Sequence, residues 1–383
     1  MERIVFVADV FTPFSAKSST QMVIYSLLFA IKQKCSDMLF IGLYRSEDEK
    51  SLIESFLAKE RIKYILIKAK IDMESTGKLS TFTKLYRSLL QNHKKELDLK
   101  TFNSDDNKIK IVVSIPSLES FAVASYLHKK ISPSVLNTVW TDVVVLNSLN
   151  NYKKIPFGRK MLKPIESKVL RLSSKNFFLG EQQLKVMSSF YQKYAMKMDY
   201  YYPSYYPFFS YLDDDYKNIE RNNNVLYFGD LNPSVRNIYP LYLSSNFTDA
   251  HIKIVGKGVV SVNSIETSLT EYIPLKKRVS TLSEALKIEK SSFISVCVLN
   301  RCGFSLPGKL FYYTELERPI LVIKDGPFAN DIENQLKAFN RFTFCENEPK
   351  AIAEAIDLIR KENKQNNNYN AFDPNTTFLK IID

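Results

Sequence analysis

Long apolar runs are absent from this 383-residue chain. No stretch of about 18 uncharged apolar residues occurs, so no membrane-spanning helix is expected. Cysteine is also scarce. Cys35, Cys297, Cys302 and Cys345 form no CxxC pair and have no histidine at zinc spacing, which argues against a structural metal and for a reduced, cytoplasmic protein. The opening MERIVFVADVF has one Arg and one Glu before a short apolar run broken by Asp9, and it reads as a first β-strand instead of a signal peptide. Disorder is excluded, because 45% of the residues are hydrophobic and 13% aromatic.

Acidic residues are short in one half only. Residues 1–200 carry 32 Lys and Arg against 19 Asp and Glu, whereas residues 201–383 carry 21 against 22. The whole net charge of +12 therefore lies in the first half. Such an asymmetry points that half toward something anionic: a membrane surface, a phosphate-bearing acceptor or nucleic acid. No nucleic-acid-binding motif accompanies it, so nucleic acid is not expected as a partner. Residues 153–175 concentrate the charge, with eight Lys or Arg and one acid, Glu166. Ile155, Phe157, Met161, Leu162, Ile165, Val169 and Leu170 are interleaved with the cations. That pattern fits a helix resting on the anionic inner face of a cell membrane, and equally a helix whose apolar residues face a core.

What is present is alternation. Strand-like runs at 3–9, 37–43, 63–68, 109–115 and 138–144 alternate with helix-like runs at 20–34, 47–60 and 118–130. The rhythm restarts in the second half, with strands expected at 224–230, 251–256, 269–274, 292–298 and 319–325. Helices are expected there at 279–290, 308–317 and 348–364. Two doubly wound α/β domains follow from this, 1–205 and 206–365, with 366–383 as a tail that packs back on the first. The aromatic stretch 198–216 reads as a connection packed against protein. In open α/β sheets ligands bind beyond the carboxyl ends of the strands, so site residues are sought there.

Three post-strand segments stand out. Gly229-Asp230-Leu231-Asn232-Pro233-Ser234-Val235-Arg236-Asn237 follows one strand, with Arg236 placed to pair with a diphosphate. Gly256-Lys257-Gly258 follows the next, a GxG without the third glycine of a dinucleotide fingerprint. The third is Cys302-Gly303-Phe304-Ser305-Leu306-Pro307-Gly308-Lys309-Leu310, running into an expected helix through Tyr312 and Tyr313. Free backbone amides, a helix dipole and Lys309 would together favour an anion there.

Taken in order, VLYFGDLNPSVRNI, HIKIVGKG, LPGKLFYYTELERPILVI and EPKAIAEAIDLI resemble the C-terminal domain of GT-B glycosyltransferases, in particular family 4-like enzymes. The sequential likeness covers roughly 225–362; RIVFVADVFTPF and residues 159–191 resemble the first domain more loosely. The resemblance implies two Rossmann-like domains, a UDP- or GDP-linked sugar held mainly by the second and an acceptor held mainly by the first. It implies a retaining, metal-independent transfer without a cofactor, to a glycan or lipid-linked acceptor. Arg236 matches a basic residue of the family, while Asp230 stands where another is usual. Tyr312 stands where a Glu binds the ribose hydroxyls. By the same likeness Gly229, Asp230, Asn237, Gly256, Lys257, Gly303, Phe304, Ser305, Leu306, Pro307, Gly308, Leu310, Tyr312 and Tyr313 are the donor-binding candidates, with Arg236 and Lys309 catalytic. On the acceptor side Ser15, Lys17, Ser18, Ser19 and Asp142 are candidates; the first loop, 12–19, has no glycine. Asp213-Asp214-Asp215 imitates a DxD metal motif but falls in the linker and reads as solvated charge. A non-catalytic protein of the same fold, supporting a partner glycosyltransferase, is the competing expectation.

Overall fold

A computed structural model describes residues 3–9, 19–69, 109–115, 118–131, 134–146, 158–202, 223–257, 270–275, 287–301, 303–315, 318–362, 372 and 374–382. They divide into two compact units, one of residues 1–13, 23–201 and 378–383, the other of 14–22 and 202–377.

The first unit is a seven-stranded parallel sheet in the order β3-β2-β1-β4-β5-β6-β7. Its central strands β1 (Arg3–Asp9), β2 (Met38–Tyr44) and β4 (Ile109–Ile115) are apolar on both faces and almost wholly buried, as a sheet covered by helices on each side requires. Val5 pairs with Leu39 on one flank and Ile111 on the other. β3 (Lys63–Lys68) closes one edge. On the other side, β5 (Ser134–Trp140) leads to β6 (Lys175–Leu179) and β7 (Met198–Tyr201). The fully buried Trp140 stacks on Phe178 at 5.4 Å. Its indole N–H donates to Thr138 Oγ1 at 2.8 Å, and Thr138 donates on to Asn176 at 2.7 Å.

The second unit is a six-stranded parallel sheet in the order β10-β9-β8-β11-β12-β13. Its strands are β8 (Val225–Phe228), β9 (Ile252–Lys257), β10 (Thr270–Leu275), β11 (Ile294–Val298), β12 (Ile320–Lys324) and β13 (Phe342–Glu346). Ile352, Ile356 and Ile359 of the helix Pro349–Glu362 cover one face, one helical turn apart, and join a core with Val225, Ile254 and Ile294.

Several boundaries differ from the sequence expectation. β5 stops at Trp140 instead of running to 144, because Asp142 Oδ1 accepts the Val143 amide at 2.8 Å and bends the chain. The amides of Val144 and Val145 then turn to Glu166. Met198–Tyr201, expected as part of a connection, is the edge strand of the first sheet. β6 and β13 are strands that the sequence pattern does not show, being short runs with polar interruptions. The chain also returns: Phe378, Ile381 and Ile382 are buried in the first unit. There the Ile381 carbonyl accepts from Asn137 Nδ2 at 3.3 Å, and the Ile382 carbonyl satisfies the buried ammonium of Lys110.

The helix Gly158–Leu172 bears on the basic segment over its described part. Leu162, Val169 and Leu170 are buried, while Lys163 and Arg171 are exposed. These apolar residues are consumed by the core and do not form a lipid-facing stripe. Glu166, the lone acid, is 2% exposed and accepts from Val144, Val145 and the Tyr191 hydroxyl, the last at 2.6 Å. Burial raises its pKa, against those bonds. Among the described residues no helix is long and apolar enough to cross a membrane.

Backbone approach between neighbouring strands of the second unit is very close at one point. A Cβ on Gly256 would lie 1.8 Å from the Gly229 carbonyl oxygen. Glycine is therefore required at 256 by packing. Gly256→Ala is expected to destabilise the protein by about 3 kcal/mol, read from urea unfolding, since backbone instead of a flexible side chain must move.

Candidate functional site

A parallel sheet whose strand order reverses direction opens a crevice at the reversal. In the second unit that point lies between β8, whose chain crosses to β9, and β11, whose chain crosses to β12 on the other side. The segments that follow these strands are 229–238 and 299–308, which contain most of the residues singled out from sequence.

Hydrogen bonds fix both segments. The Gly229 amide donates to Val255 and the Leu231 amide to Lys257, each at 2.9 Å, so the chain leaving β8 continues along β9. It then turns at 233–235, and the Arg301 amide donates to the Val235 carbonyl at 2.7 Å, tying the two segments together. Asn237 is held at both backbone groups: its amide donates to Asp325 Oδ2 at 2.8 Å, and its carbonyl accepts from Asn347 Nδ2 at 2.9 Å. Asn300 Nδ2 donates to the Ser305 carbonyl at 2.8 Å and sets the course of the glycine-containing loop. Gly326, with φ of +82°, brings its chain against the carbonyls of Asn300 and Arg301; a Cβ there would meet both at 2.7 Å.

Arg236 sits within this framework. Its charge acts on the Tyr227 hydroxyl, which donates to the Asp230 carbonyl at 2.8 Å. Burial pushes the Tyr227 hydroxyl up to about 12, and Arg236 acts in the opposite direction. Burial likewise pushes the Cys297 thiol up to about 11, while the charges of Arg236 and Lys309 both lower it. The two cations singled out from sequence thus act on one point at the end of β11.

Lys309 differs from its expected role. Its ammonium lies 2.9 Å from Glu289 Oε1, a carboxylate only 1% exposed, and 4.1 Å from the centre of the Phe228 ring. Tyr313 donates to the same oxygen at 3.3 Å, and Arg318 binds the Glu289 carbonyl. Burial raises the Tyr313 hydroxyl well above its ordinary value, and Glu289 adds to this. The expected helix 308–317 is correspondingly short: α-helix covers only Lys309–Tyr312, followed by a 3-10 turn at Tyr313–Glu315. So short a segment carries little dipole, which removes one of the reasons for placing an anion at its start. Phe304, Leu306, Leu310 and Tyr313, named as donor-binding candidates, are buried and pack in the core; Pro307 is buried with them. Gly303, Ser305 and Gly308 are the half-buried positions of the loop. Asp230 and Asn237 are half-buried and Lys257 is exposed. The Tyr312 side chain lies outside the described residues.

Ser15, Lys17 and Ser18 lie outside the described residues, as do the side chain of Ser19 and the triplet at 213–215. Asp142 is half-buried and caps Val143. A group that sequence inspection passed over stands at the reversal of the first unit's sheet, between β1 and β4. Asp9 ends β1, Arg45 follows β2, and Glu119 lies in the first turn of the helix Leu118–Lys130 after β4. Asp9 and Arg45 form a two-pronged ion pair, with both N–O distances 3.2 Å. Glu119 is 5% exposed, and neither of its oxygens has a hydrogen-bond partner among the described residues. Burial, and then the Asp9 carboxylate, raise it to about 7, against the opposing charge of Arg45. Its only sequence signal is an acid in a helix's first turn, which is ordinary.

Among the described residues no three His, Cys, Asp or Glu side chains group to hold a metal.

No protein-family model matches the chain, and no curated protein matches it. Solved structures do. The N-terminal domain of trehalose-6-phosphate phosphatase from Candida albicans aligns over 100% of this chain and 97% of its own, with a TM-score of 0.58 and 9% identity. The UDP-forming α,α-trehalose-phosphate synthase from Burkholderia vietnamiensis aligns over 100% and 97%, with a TM-score of 0.54 and 9% identity. A glycosyltransferase from Rickettsia africae aligns over 100% and 92%, with a TM-score of 0.51 and 12% identity.

Two outcomes test the electrostatics. Lys309→Met leaves a buried carboxylate without its cation and should cost about 3 kcal/mol in urea unfolding, most of which adding Glu289→Gln restores. Glu119 binds its proton more tightly folded than unfolded, so its contribution is present below about pH 4.5 and is lost as pH rises through about 7. Glu119→Gln should therefore gain stability over the parent by up to about 3 kcal/mol on going from pH 4.5 to pH 8, measured by urea unfolding at each pH.

With two parallel Rossmann-like sheets in one chain and alignments of this extent, the fold is that of the GT-B glycosyltransferases.

Proposed function

We propose that the protein transfers a sugar from a nucleoside-diphosphate sugar to a glycan or lipid-linked acceptor. The observation that carries this reading is the convergence of Arg236 and the Gly303–Gly308 loop at the strand-order reversal of the second sheet. Arg236 is half-buried near the Tyr227 hydroxyl, and a guanidinium there can pair with a diphosphate through two parallel hydrogen bonds. As the glycosidic bond breaks, charge grows on that diphosphate, and a fixed cation there stabilises the departing group. The half-buried Gly303, Ser305 and Gly308 let a ligand reach the loop backbone. Lys309 contributes by neutralising Glu289 and anchoring the loop's end, so the catalytic weight falls on Arg236. The positive excess of the first 200 residues favours an acceptor or surface bearing negative charge, such as a lipid phosphate. Retention of configuration, and a reaction without metal or cofactor, belong to the same proposal. UDP- or GDP-linked sugars are the donors to try.

Calorimetric titration with UDP, GDP and a panel of their sugar conjugates tests the proposal. At least one should bind, and Arg236→Ala should weaken it about 10- to 100-fold, the loss of a charged hydrogen-bonding partner. Absence of binding by every member at millimolar concentration would remove the enzymatic reading.

The engagement of Lys309 by Glu289 favours a second reading, a non-catalytic protein of this fold that supports a partner glycosyltransferase. Co-purification with such an enzyme, together with unimpaired biological function of Arg236→Ala, is its signature.

A further inference from the structure

We infer that Asp325 and Asn347 are positioning residues for Arg236: side by side, they clamp Asn237 and hold the loop that carries the guanidinium across the end of β11. The starting point is a loop without regular structure. Between Gly229 and Ile238 the chain is neither helix nor strand, so its backbone polar groups need partners from elsewhere. On both sides of Arg236 they find them. The peptide before it is held twice: the Arg236 amide donates to the Asn232 carbonyl at 3.0 Å, and the Val235 carbonyl accepts from the Arg301 amide at 2.7 Å. The peptide after it is held by Asp325, whose Oδ2 accepts the Asn237 amide at 2.8 Å. Asn347 Nδ2 then donates to the Asn237 carbonyl at 2.9 Å. With both flanking peptides fixed, the direction in which the Arg236 side chain leaves the backbone is fixed as well.

The sheet builds this clamp. β12 and β13 are parallel neighbours, and Lys324 stands opposite Glu346 in their register. The two form an ion pair, and Lys324 also pairs with Glu333 at 2.9 Å. Asp325 and Asn347 are the next residues along each chain, so an acceptor and a donor leave the sheet at one level. Gly326, with φ of +82°, fixes the turn directly after Asp325. In the strand order β8-β11-β12-β13, the chain leaving β8 has to pass over β11 to reach this pair. Arg236 is thereby carried over the end of β11, where its charge acts on Cys297. Neither Asp325 nor Asn347 has to touch a ligand for this. A cation whose backbone is fixed in advance loses less freedom on pairing with a diphosphate, and that is what the clamp contributes.

The diphosphate rests on the transferase reading, and the test keeps the two apart. The full chain and its variants are titrated calorimetrically with UDP and GDP, and amide hydrogen exchange at Asn237 is followed without nucleotide. The clamp needs an acceptor at 325 and a donor at 347, whatever their charge. Asp325→Asn keeps the acceptor and should bind nucleotide within about twofold of the parent, whereas Asp325→Ala should weaken it about 10-fold. Asn347→Asp, equally isosteric, loses the donor and should weaken binding as Asp325→Ala does. Because Asp325 acts through Arg236, Asp325→Ala should have almost no further effect in the Arg236→Ala chain. Exchange at Asn237 should quicken about 10-fold in Asp325→Ala and stay unchanged in Asp325→Asn. The positioning role is overturned if Asp325→Asn is as damaging as Asp325→Ala, or if Asn347→Asp binds as the parent does. It is overturned equally if the loss persists in full in the Arg236→Ala chain. If the parent binds neither nucleotide, the transferase reading falls; the clamp then stands if Asp325→Ala quickens exchange at Asn237, and falls if it does not.

Discussion

Parallel strand pairing is the constraint from which both units follow. Each parallel neighbour requires a crossover that carries the chain back across a face, so all strands of a sheet point one way and all their carboxyl ends collect on one edge. Ile4 to Asp9 pair in register with Met38 to Leu43, and Ser295 to Val298 with Ile320 to Ile323, without an antiparallel exception among the described residues. Residues distant in sequence are thereby delivered to one rim. In the second unit that rim carries Gly229, Arg236, the 303–308 loop and Asp325. In the first it carries Asp9, Arg45 and Glu119.

Buried carboxylates govern how charge is distributed in both units. Glu289 is 1% exposed and draws Lys309 and Tyr313 to one of its oxygens. A carboxylate so buried is tolerable only with a close cation, and the cation is then not available for other work. Lys309 is consequently a structural partner, and the helix it begins is one turn long. Glu119 is the opposite case. Its neighbours are an acid and an arginine already paired with that acid, so burial raises its pKa toward neutrality instead of securing its charge. One carboxylate is secured by a cation, and the other is held back from ionising by burial.

Most of the elements were legible in the sequence because buried parallel strands are short, strongly apolar runs bounded by turn residues. RIVFVAD, IKIVVSI and PILVIKD show this plainly. The strands that escaped, Lys175–Leu179, Met198–Tyr201 and Phe342–Glu346, lie on the side of each sheet where apolar runs are shorter and polar residues intervene. Gly229, Arg236, Gly303 and Gly308 are candidates on local grounds, since glycine and arginine after a strand carry a physical signal. Phe304, Leu306, Leu310 and Tyr313 were named with them, but local pattern does not tell which side of a loop faces the core. The basic segment 153–175 is ambiguous for the same reason: its alternation of apolar and charged residues fits a membrane or a core, and the structure places Leu162, Val169 and Leu170 in the core.

By itself the sequence determined the fold class, the restart of the α/β rhythm in the second half and the accumulation of positive charge in the first. These are properties of local periodicity and composition, and each is set by residues that are neighbours along the chain. Tertiary structure alone decided which charges meet. Lys309 is twenty residues from Glu289, Asp9 is thirty-six from Arg45, and Glu119 reaches both only because β1 lies between β2 and β4. Ionisation and pairing depend on distance and burial in space, which no local pattern encodes.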